Sequence, residues 1–328
     1  MSERKLRNHI FEGMLSRIDC QIRVYQEKIP DCGEDALLYA LNNRAALVGA
    51  FDGCGGAGAK RYAKLQGKTG AYMASRVVSG TVNDWFADCC ARNEAFSARS
   101  LEARIRENLA LCDRVGAEAS RFVSSMVKAF PTTAAVAILS QQAGKIRVDC
   151  FWAGDSRVYL LNADGLAQLS VDDLLVTDAM DNLYEDGAMT NVISHSKGFT
   201  IHHGSLLLDQ PGIVLAATDG CFGYLPTPMA FEQLLIGTLV RSENIDQWEQ
   251  ALHSAIGRVA GDDYALSAVA LDFGNFNTMK AMFARRAQQL WQNYPPEALK
   301  EREDKNRLWA QYKPGYYRLQ LDKEAQCP

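Results

Sequence analysis

The sequence AALVGAFDGCGGAG, at Ala45–Gly58, combines an apolar run with a cluster of glycines. The run Ala45–Phe51 ends on a single carboxylate, Asp52, and four glycines follow within six residues. A Cβ atom at these positions would block positive φ angles and the close approach of another group. The pattern therefore predicts a buried strand whose end approaches an ion or a phosphate.

This strand end has two interpretations. Three of its glycines match G-x-G-x-x-G, the turn of dinucleotide-binding proteins, which should be followed about 20 residues later by an acidic residue ending a second strand. Here residues 57–90 have a helical pattern, and Asp84 is the first acidic residue within it. Alternatively, Asp52 ligates a hard cation such as Mg²⁺ or Mn²⁺, which needs several oxygen ligands. Further carboxylates should then lie at strand ends.

Composition excludes several classes of protein. A chain of 328 residues with 48% hydrophobic content can bury a substantial core, and its net charge of −4 does not favour nucleic acid or an anionic membrane. The N-terminus has no apolar signal segment, and no run of about 18 apolar residues occurs. Nine cysteines form no C-x-x-C pair and no zinc-like spacing, which predicts reduced thiols. We expect a cytoplasmic protein that binds neither nucleic acid nor membrane.

The residues flanking the central strand predict a hairpin and a helical layer. Residues 20–25 alternate between apolar and polar, as a half-buried strand does, and residues 36–51 predict a hairpin that ends at Asp52. Apolar residues recur at helical spacing over 59–90 and again over 100–128, where Ser100 is a candidate N-cap. These two helices should cover one face of a sheet.

The second half of the chain predicts more strands and two helices. Residues 131–170 contain apolar runs joined by short turns, which indicates an antiparallel meander. Residues 171–203 are polar and irregular, which is typical of a long surface excursion or flap. The remaining predicted elements are a strand at 212–217, helices at 227–240 and 245–259, and a last strand at 264–273.

Acidic residues recur where these predicted strands begin or end. They are Glu34 and Asp35 before the hairpin, Asp52 after it, Asp155 in Gly154–Arg157 (GDSR), Asp219 in Thr218–Gly220 (TDG), and Asp262 with Asp263 before the last strand. Each one alone is an ordinary turn residue. Together they predict an oxygen-rich cluster at the strand ends, as the cation interpretation requires.

In this order, the motifs resemble those of the protein phosphatase 2C family, which are metal-dependent Ser/Thr phosphatases. The resemblance rests on Gly33–Ala36, Phe51–Gly56, Thr132–Ala134 followed by Gly154–Arg157, Thr218–Gly220, and Asp262 with Asp263. It covers roughly residues 18–273, preceded by an N-terminal arm, 1–17, and followed by a helical accessory segment, 274–328. It implies an α+β fold, an α-β-β-α sandwich of two antiparallel sheets flanked by helices.

The resemblance also implies a binuclear Mn²⁺ or Mg²⁺ centre between the sheet edges, with a more weakly held third cation. Asp52 would bridge the two metals and, with Asp219, act in catalysis. The other implied ligands are Glu34 and Asp35 through bound water, the carbonyl of Gly53, Asp219, Asp263, and Asp155 for the third cation. Because Asp263-Tyr264 stands where the family usually has Asp-Asn, Asp262 is an alternative to Asp263.

Two positions depart from the pattern of the animal members, so this chain resembles the bacterial members of the family more closely. Cys54 replaces a histidine proposed as the general acid. Pro30 stands four residues before Glu34, where the animal members have an arginine that binds the substrate phosphate, so Lys28 is the nearest candidate for a phosphate contact.

The resemblance implies hydrolysis of phosphoserine and phosphothreonine by a metal-activated water, with a phosphoprotein as substrate and a cognate Ser/Thr kinase as partner. The alternative is a pseudophosphatase that acts as a binding or scaffold module. An inactive member should have lost a ligand carboxylate, whereas every expected acidic position can be filled here, and this favours the enzyme. The aromatic C-terminal tail should pack against its own domain or contact a partner.

Overall fold

A computed structural model describes residues 13–116, 129–185, 187–295 and 300–323. The strands are β1 (Ile18–Gln26), β2 (Ala36–Leu41), β3 (Ala45–Phe51), β4 (Arg61–Tyr62), β5 (Lys68–Thr69), β6 (Ala134–Gln142), β7 (Lys145–Ala153), β8 (Arg157–Asn162), β9 (Gly165–Gln168), β10 (His202–Leu208), β11 (Gly212–Ala217) and β12 (Tyr264–Leu271). The helices are α1 (Gly55–Gly58), α2 (Gly70–Arg92), α3 (Ala98–Gly116), α4 (Pro228–Arg241), α5 (Ile245–Gly257), α6 (Phe276–Asn293) and α7 (Arg302–Tyr316). Within the described residues, no helix has the length and apolar character needed to cross a membrane.

The strands form two five-stranded antiparallel sheets, which confirms the predicted fold class. One sheet has the order β1-β12-β11-β8-β9, and the other has the order β10-β7-β6-β3-β2. The predicted hairpin is present, because β2 pairs with β3 with Ala36 opposite Phe51. A right-handed βαβ unit is absent around β3 in the described chain, which excludes the dinucleotide-binding interpretation of the glycines.

Strand β3 is apolar throughout because both of its faces are buried. Ala46, Val48 and Ala50 pack in the core between the two sheets, against residues of β11 and β12 such as Val214. Leu47 and the other alternate residues face the helical layer formed by α2 and α3. With a side-chain period of two, a strand buried on both faces needs apolar residues at every position. Its charged residue therefore has to lie at its end.

Side-chain caps fix the starts of several helices. Thr227, Asn244 and Asn275 each accept a hydrogen bond from a backbone N–H in the first turn of α4, α5 and α6, respectively. These starts agree with the predicted helices at 227 and 245. Ser100 is not an N-cap, because α3 begins at Ala98 and the Ser100 hydroxyl accepts a bond from Trp85 Nε1 instead. Residues 117–128 of this predicted helix lie outside the described residues.

The helix predicted from residue 59 was wrong over its first part. The short hairpin β4–β5 occupies this region, and α2 begins only at Gly70. Gln66 and Gly67 both have left-handed φ angles, of 59° and 71°, which no α-helix accommodates in succession. Thr69 then caps α2 by accepting a bond from the backbone of Tyr72.

The predicted meander is interrupted after its second strand. β6 and β7 pair within one sheet, but β8 belongs to the other sheet and pairs with β11. The chain crosses between the sheets at Gly154, where φ is 93° and a Cβ would lie 2.6 Å from Thr133 Cγ2. This crossing leaves Asp155 at the edge shared by the two sheets.

Residues 171–203 are not simply a surface excursion. Asp172, Asp173, Ile193 and Ser194 are buried, and Ile193 forms a β-bridge with Thr132. Sequence polarity was misleading here, because the buried carboxylates are paired with cations from other parts of the chain.

Helices α6 and α7 pack on the same core as the sheet that contains β11. Of the predicted apolar stripe, Met279, Phe283 and Leu290 are buried, whereas Trp291 is 37% exposed. The aromatic residues of α7 pack against the rest of the chain, which is the first of the two alternatives predicted for the tail, packing on its own domain or contact with a partner. At the other terminus, Met14 is buried between the sheets, and residues 1–12 of the expected arm lie outside the described residues.

A buried ion pair joins α4 to α6. The Glu232 side chain is 0% exposed and accepts bonds from Arg286 Nε at 2.7 Å and from the Tyr312 hydroxyl at 2.6 Å. Removing the cation alone leaves a buried carboxylate without its counter-charge, which is far more costly than the pair is stabilising. We expect Arg286→Met to lower the free energy of unfolding by about 3–5 kcal/mol, measured by urea denaturation followed by circular dichroism. Arg285→Met, at the exposed neighbouring position, should change it little, and equal losses in both variants would contradict this assignment.

Candidate metal centre

The sheet registers bring four carboxylates to one end of the sandwich. Because Ala36 pairs with Phe51, the residues just outside this hairpin, Asp35 and Asp52, are neighbours. Because Ala217 pairs with Arg157, Asp155 and Asp219 lie at the corresponding end of the other sheet, two residues beyond the paired positions.

Asp35 is the most deeply buried member of this group. Its side chain is 3% exposed, and its Oδ2 accepts a bond of 2.7 Å from the Thr218 hydroxyl. Burial raises the pKa of Asp35 to about 8, with a further contribution from the charge of Asp219, although the bonds from Thr218 and Asp52 oppose it. Asp35 and Asp52 lie close enough for each carboxyl to affect the pKa of the other.

Asp52 is at the centre of the cluster. Burial raises its pKa well above the ordinary range, and the charges of Asp35, Asp219 and Asp155 raise it further, in that order. Its backbone carbonyl accepts bonds from the Thr132 hydroxyl at 2.7 Å and from the Thr133 N–H at 2.8 Å. These bonds anchor the end of β3 to the start of β6, and they fix where the Asp52 side chain begins.

Asp155 provides an independent test of whether the site fits a cation. Burial raises its pKa to about 8, helped by the charges of Asp219 and Asp172. Its Oδ1 is buried and has no hydrogen-bond partner. Asp155 and Asp219 both line a cavity of about 410 Å³. A buried carboxylate oxygen without a hydrogen-bond partner is costly unless a cation or a donor satisfies it, so the donor set fits a hard divalent cation.

Glu34 and Asp263 form a second group beside the first. Asp263 accepts the backbone N–H groups of Lys28 at 2.7 Å and of Glu34 at 2.6 Å, and its charge also acts on Asp35. The Glu34 carboxylate accepts a bond from the Thr69 hydroxyl. Burial raises the pKa of Glu34, with smaller contributions from Asp263 and Asp262.

Asp262 and Lys28 have different surroundings from these residues. Asp262 is exposed, and its Oδ1 accepts the N–H of Asp263 at 2.9 Å. The Lys28 side chain is exposed, while its backbone binds Asp263. Among the described residues, no three acidic, imidazole or thiol groups have the spacing of a preformed metal site.

The glycines after Asp52 have a different role from the one predicted. None of Gly53, Gly55, Gly56 and Gly58 has a positive φ angle. A Cβ on Gly53 would lie 2.6 Å from the Glu34 carbonyl oxygen and 2.7 Å from that of Ala71. At this residue, the absence of a side chain lets three segments of backbone meet, rather than admitting a phosphate.

Five residues hydrogen-bond to the acidic segments, through side chains or backbone, in roles that were not predicted from the sequence. These are Thr69, Thr132, Thr133, Thr218 and Arg76. The Arg76 guanidinium donates to the carbonyls of Gly33 and Glu34 at 2.9 and 3.1 Å and lies 3.7 Å from the centre of the Tyr72 ring. A polar residue next to each acidic motif, as in Thr218-Asp219, was the available signal. Arg76 is distant in sequence and had none.

Stability should depend on pH through these acids. The folded protein without metal holds protons on Asp35 and Asp155 up to about pH 8, whereas an unfolded chain releases them near pH 4. The folded state then binds more protons, so stability must fall as the pH rises from about 4 to 8. In EDTA, Asp155→Asn should therefore raise the melting temperature at pH 8 by several °C and change it little at pH 4. Asp84→Asn, at an exposed position, is the control, and an equal shift at both pH values would contradict the prediction.

The fold and this acidic edge define an α+β sandwich with a carboxylate-lined site at one end of its sheets. The sequence model of the family "Protein phosphatase 2C" matches residues 29–256, and the chain belongs to this family.

Solved structures of bacterial phosphatases have the same fold. The serine/threonine phosphatase PstP/Ppp of Mycobacterium tuberculosis has a TM-score of 0.55 at 14% identity, covering 78% of this chain and 99% of its own. Serine/threonine phosphatase Stp1 of Staphylococcus aureus has a TM-score of 0.55 at 18% identity, covering 78% and 96%. A bacterial serine phosphatase gives 0.55 at 18%, covering 77% and 98%. A comparison with curated protein sequences finds no match.

Proposed function

We propose that this protein is a metal-dependent phosphatase that hydrolyses phosphoserine and phosphothreonine in proteins. The observation that carries the proposal is the cluster of Asp35, Asp52, Asp155 and Asp219, whose mutual charges act on one another at one edge of the fold. Family membership supports the reaction type. The three solved structures described above are named as serine or serine/threonine phosphatases, which supports the proposed class of substrate.

The proposed centre contains two divalent cations, Mn²⁺ or Mg²⁺. The residues that would hold them are Asp52 as the central ligand, Asp219, Asp263 (or Asp262), the Gly53 carbonyl, Glu34 and Asp35 through water, and Asp155 for a weaker third cation. When bound, such cations lower the pKa of a shared water and neutralise charge on the phosphate oxygens.

The protein side of this proposal is positioning. The Thr218 hydroxyl orients Asp35, and the backbone N–H groups of Lys28 and Glu34 orient Asp263. Ligands held by such bonds need little reorganisation when substrate binds. Because Cys54 stands where the animal members have a histidine, we propose that solvent protonates the leaving oxygen.

The central test is hydrolysis of p-nitrophenyl phosphate and of a phosphothreonine peptide, with and without Mn²⁺. We expect Mn²⁺-dependent turnover of both by the wild type and a loss of at least about 10²-fold in Asp52→Asn, because a proposed metal ligand and its charge are removed. Asp84→Asn is the control and should retain full activity.

Calorimetric titration with Mn²⁺ distinguishes the alternatives. A wild type that binds Mn²⁺ but hydrolyses neither substrate would favour the scaffold, or pseudophosphatase, function. A wild type that binds no Mn²⁺ would refute the proposed ligand set. A phosphoprotein substrate and a cognate Ser/Thr kinase are proposed as partners from the reaction type alone.

The proposed phosphate contact of Lys28 has its own test. The Lys28 backbone bonds to Asp263 while its side chain is exposed, and a single ammonium group on a phosphate has a modest effect in water. We expect Lys28→Met to raise the KM for both substrates about 2–5-fold with kcat nearly unchanged. Lys197→Met, which also removes an exposed charge, should leave both constants unchanged, and an unchanged KM in Lys28→Met would remove Lys28 from the site.

A further inference from the structure

Residues 172–185, which we call the cavity wall, form one side of the cavity that contains Asp155 and Asp219. Leu174, Asn182 and Tyr184 are among the wall residues that line it. The wall, which the structure describes in full, contains little regular structure: its one helical element is a short 3-10 turn at Asp181–Leu183. Its internal hydrogen bonds are concentrated at residues 178–185, so contacts with other elements decide where the wall lies against the rest of the fold.

The middle of the cavity wall is held by α7. Asp178 accepts bonds from Trp309 Nε1 at 2.9 and 3.1 Å, and its Oδ2 lies 2.7 Å from Lys313 Nζ. Trp309 is 5% exposed, so its indole N–H has been removed from water and needs this acceptor. Two donors one helical turn apart on α7 thus bind one wall carboxylate, which also accepts the backbone N–H groups of Met180 and Asp181 within the wall.

The residues around Asp178 are held from the same side. The Tyr317 hydroxyl accepts the Ala179 N–H at 2.8 Å. The Arg302 guanidinium lies 4.6 Å from the centre of the Tyr184 ring, and Tyr184 lines the cavity. The C-terminal segment therefore contacts the cavity wall along the length of α7 and just beyond it.

The base of the cavity wall is connected to the loop that carries Asp155. Asp173 is 2% exposed, forms an ion pair with Lys323, and accepts the Gly154 N–H at 3.0 Å. Asp172 is 4% exposed and is paired with Arg157, whose Nη1 lies 3.4 Å from the Tyr316 hydroxyl. Both buried carboxylates thus have contacts that lead back to the C-terminal segment.

We propose that the C-terminal segment 302–323 positions the cavity wall and thereby sets the affinity for a phosphopeptide, rather than the reaction at phosphorus. This inference rests on the proposed phosphatase function. Trp309 and Lys313 are its principal positioning residues. They lie outside residues 29–256, which match the family, so the wall is supported by a part of the chain that the family motifs do not include.

The test compares a large and a small substrate in a variant that loses the contacts to Asp178. In Trp309→Phe/Lys313→Met the aromatic packing is kept, while both donors are removed. We expect KM for the phosphothreonine peptide to rise about 3–10-fold with kcat nearly unchanged, because a loosened wall weakens binding of the peptide. Both constants for p-nitrophenyl phosphate should stay within about twofold, since this small substrate needs only the metal centre.

Two further variants are matched to this test. Arg307→Met removes an exposed charge from the same helix, where Arg307 pairs with Asp304, and should leave all constants unchanged. Lys313→Arg in the Trp309→Phe background restores a cation and should restore most of the peptide affinity. Equal losses with both substrates would indicate general destabilisation and overturn the proposal, as would an unchanged peptide KM.

Hydrogen exchange measured by mass spectrometry gives a readout that does not depend on activity. Peptides from residues 172–185 should exchange faster in the double variant, while peptides from β11 should not. Unchanged exchange of the wall overturns the proposal. If the wild type hydrolyses neither substrate, the phosphatase function and the claim about peptide affinity fall together, and the exchange result separately decides whether α7 holds the wall.

Discussion

The structure depends on the repulsion among four carboxylates at one end of two packed sheets. Asp52 has Asp35, Asp155 and Asp219 close enough that their charges raise its pKa, and burial removes the water that would screen them. Such a group can stay ionised only if positive charge enters among its members, and it can stay in place without that charge only by holding protons. The same charges are the reason why we expect the metal-free protein to lose stability as the pH rises, and why divalent cations are proposed to bind there.

The sandwich determines where these charges can lie. Strands buried on both faces, such as β3, exclude a carboxylate from their interior, so the acids occur where strands end or cross between sheets. At Gly154 the chain passes from one sheet to the other, and the left-handed backbone there directs Asp155 into the shared edge. The Thr218 hydroxyl then donates to the Asp35 carboxylate, and the Thr132 hydroxyl donates to the backbone carbonyl of Asp52, which fixes the end of β3.

Local and periodic signals were sufficient for much of this fold. The run at β3, the hairpin before it and the helix starts at Thr227 and Asn244 each depend on residues close in sequence. The hairpin at residues 61–69 was missed because its signal is the backbone conformation of Gln66 and Gly67, which apolar spacing does not reveal. The crossing of β8 to the other sheet depends on pairing with β11, some 50 residues later, and a short turn gives no indication of such a partner.

The C-terminal segment shows the same limit at the candidate site. Its aromatic residues predicted packing, but nothing in their spacing identified Asp173 and Asp178 as the groups they support. These carboxylates lie in a polar stretch typical of a solvated loop, yet Asp173 is buried, and both have cationic partners, Lys323 and Lys313, that follow them by more than a hundred residues. A buried carboxylate requires a counter-charge, and here two of the cations come from the tail. Because Asp173 also holds the backbone beside Asp155, the tail and the acidic edge are parts of one electrostatic arrangement.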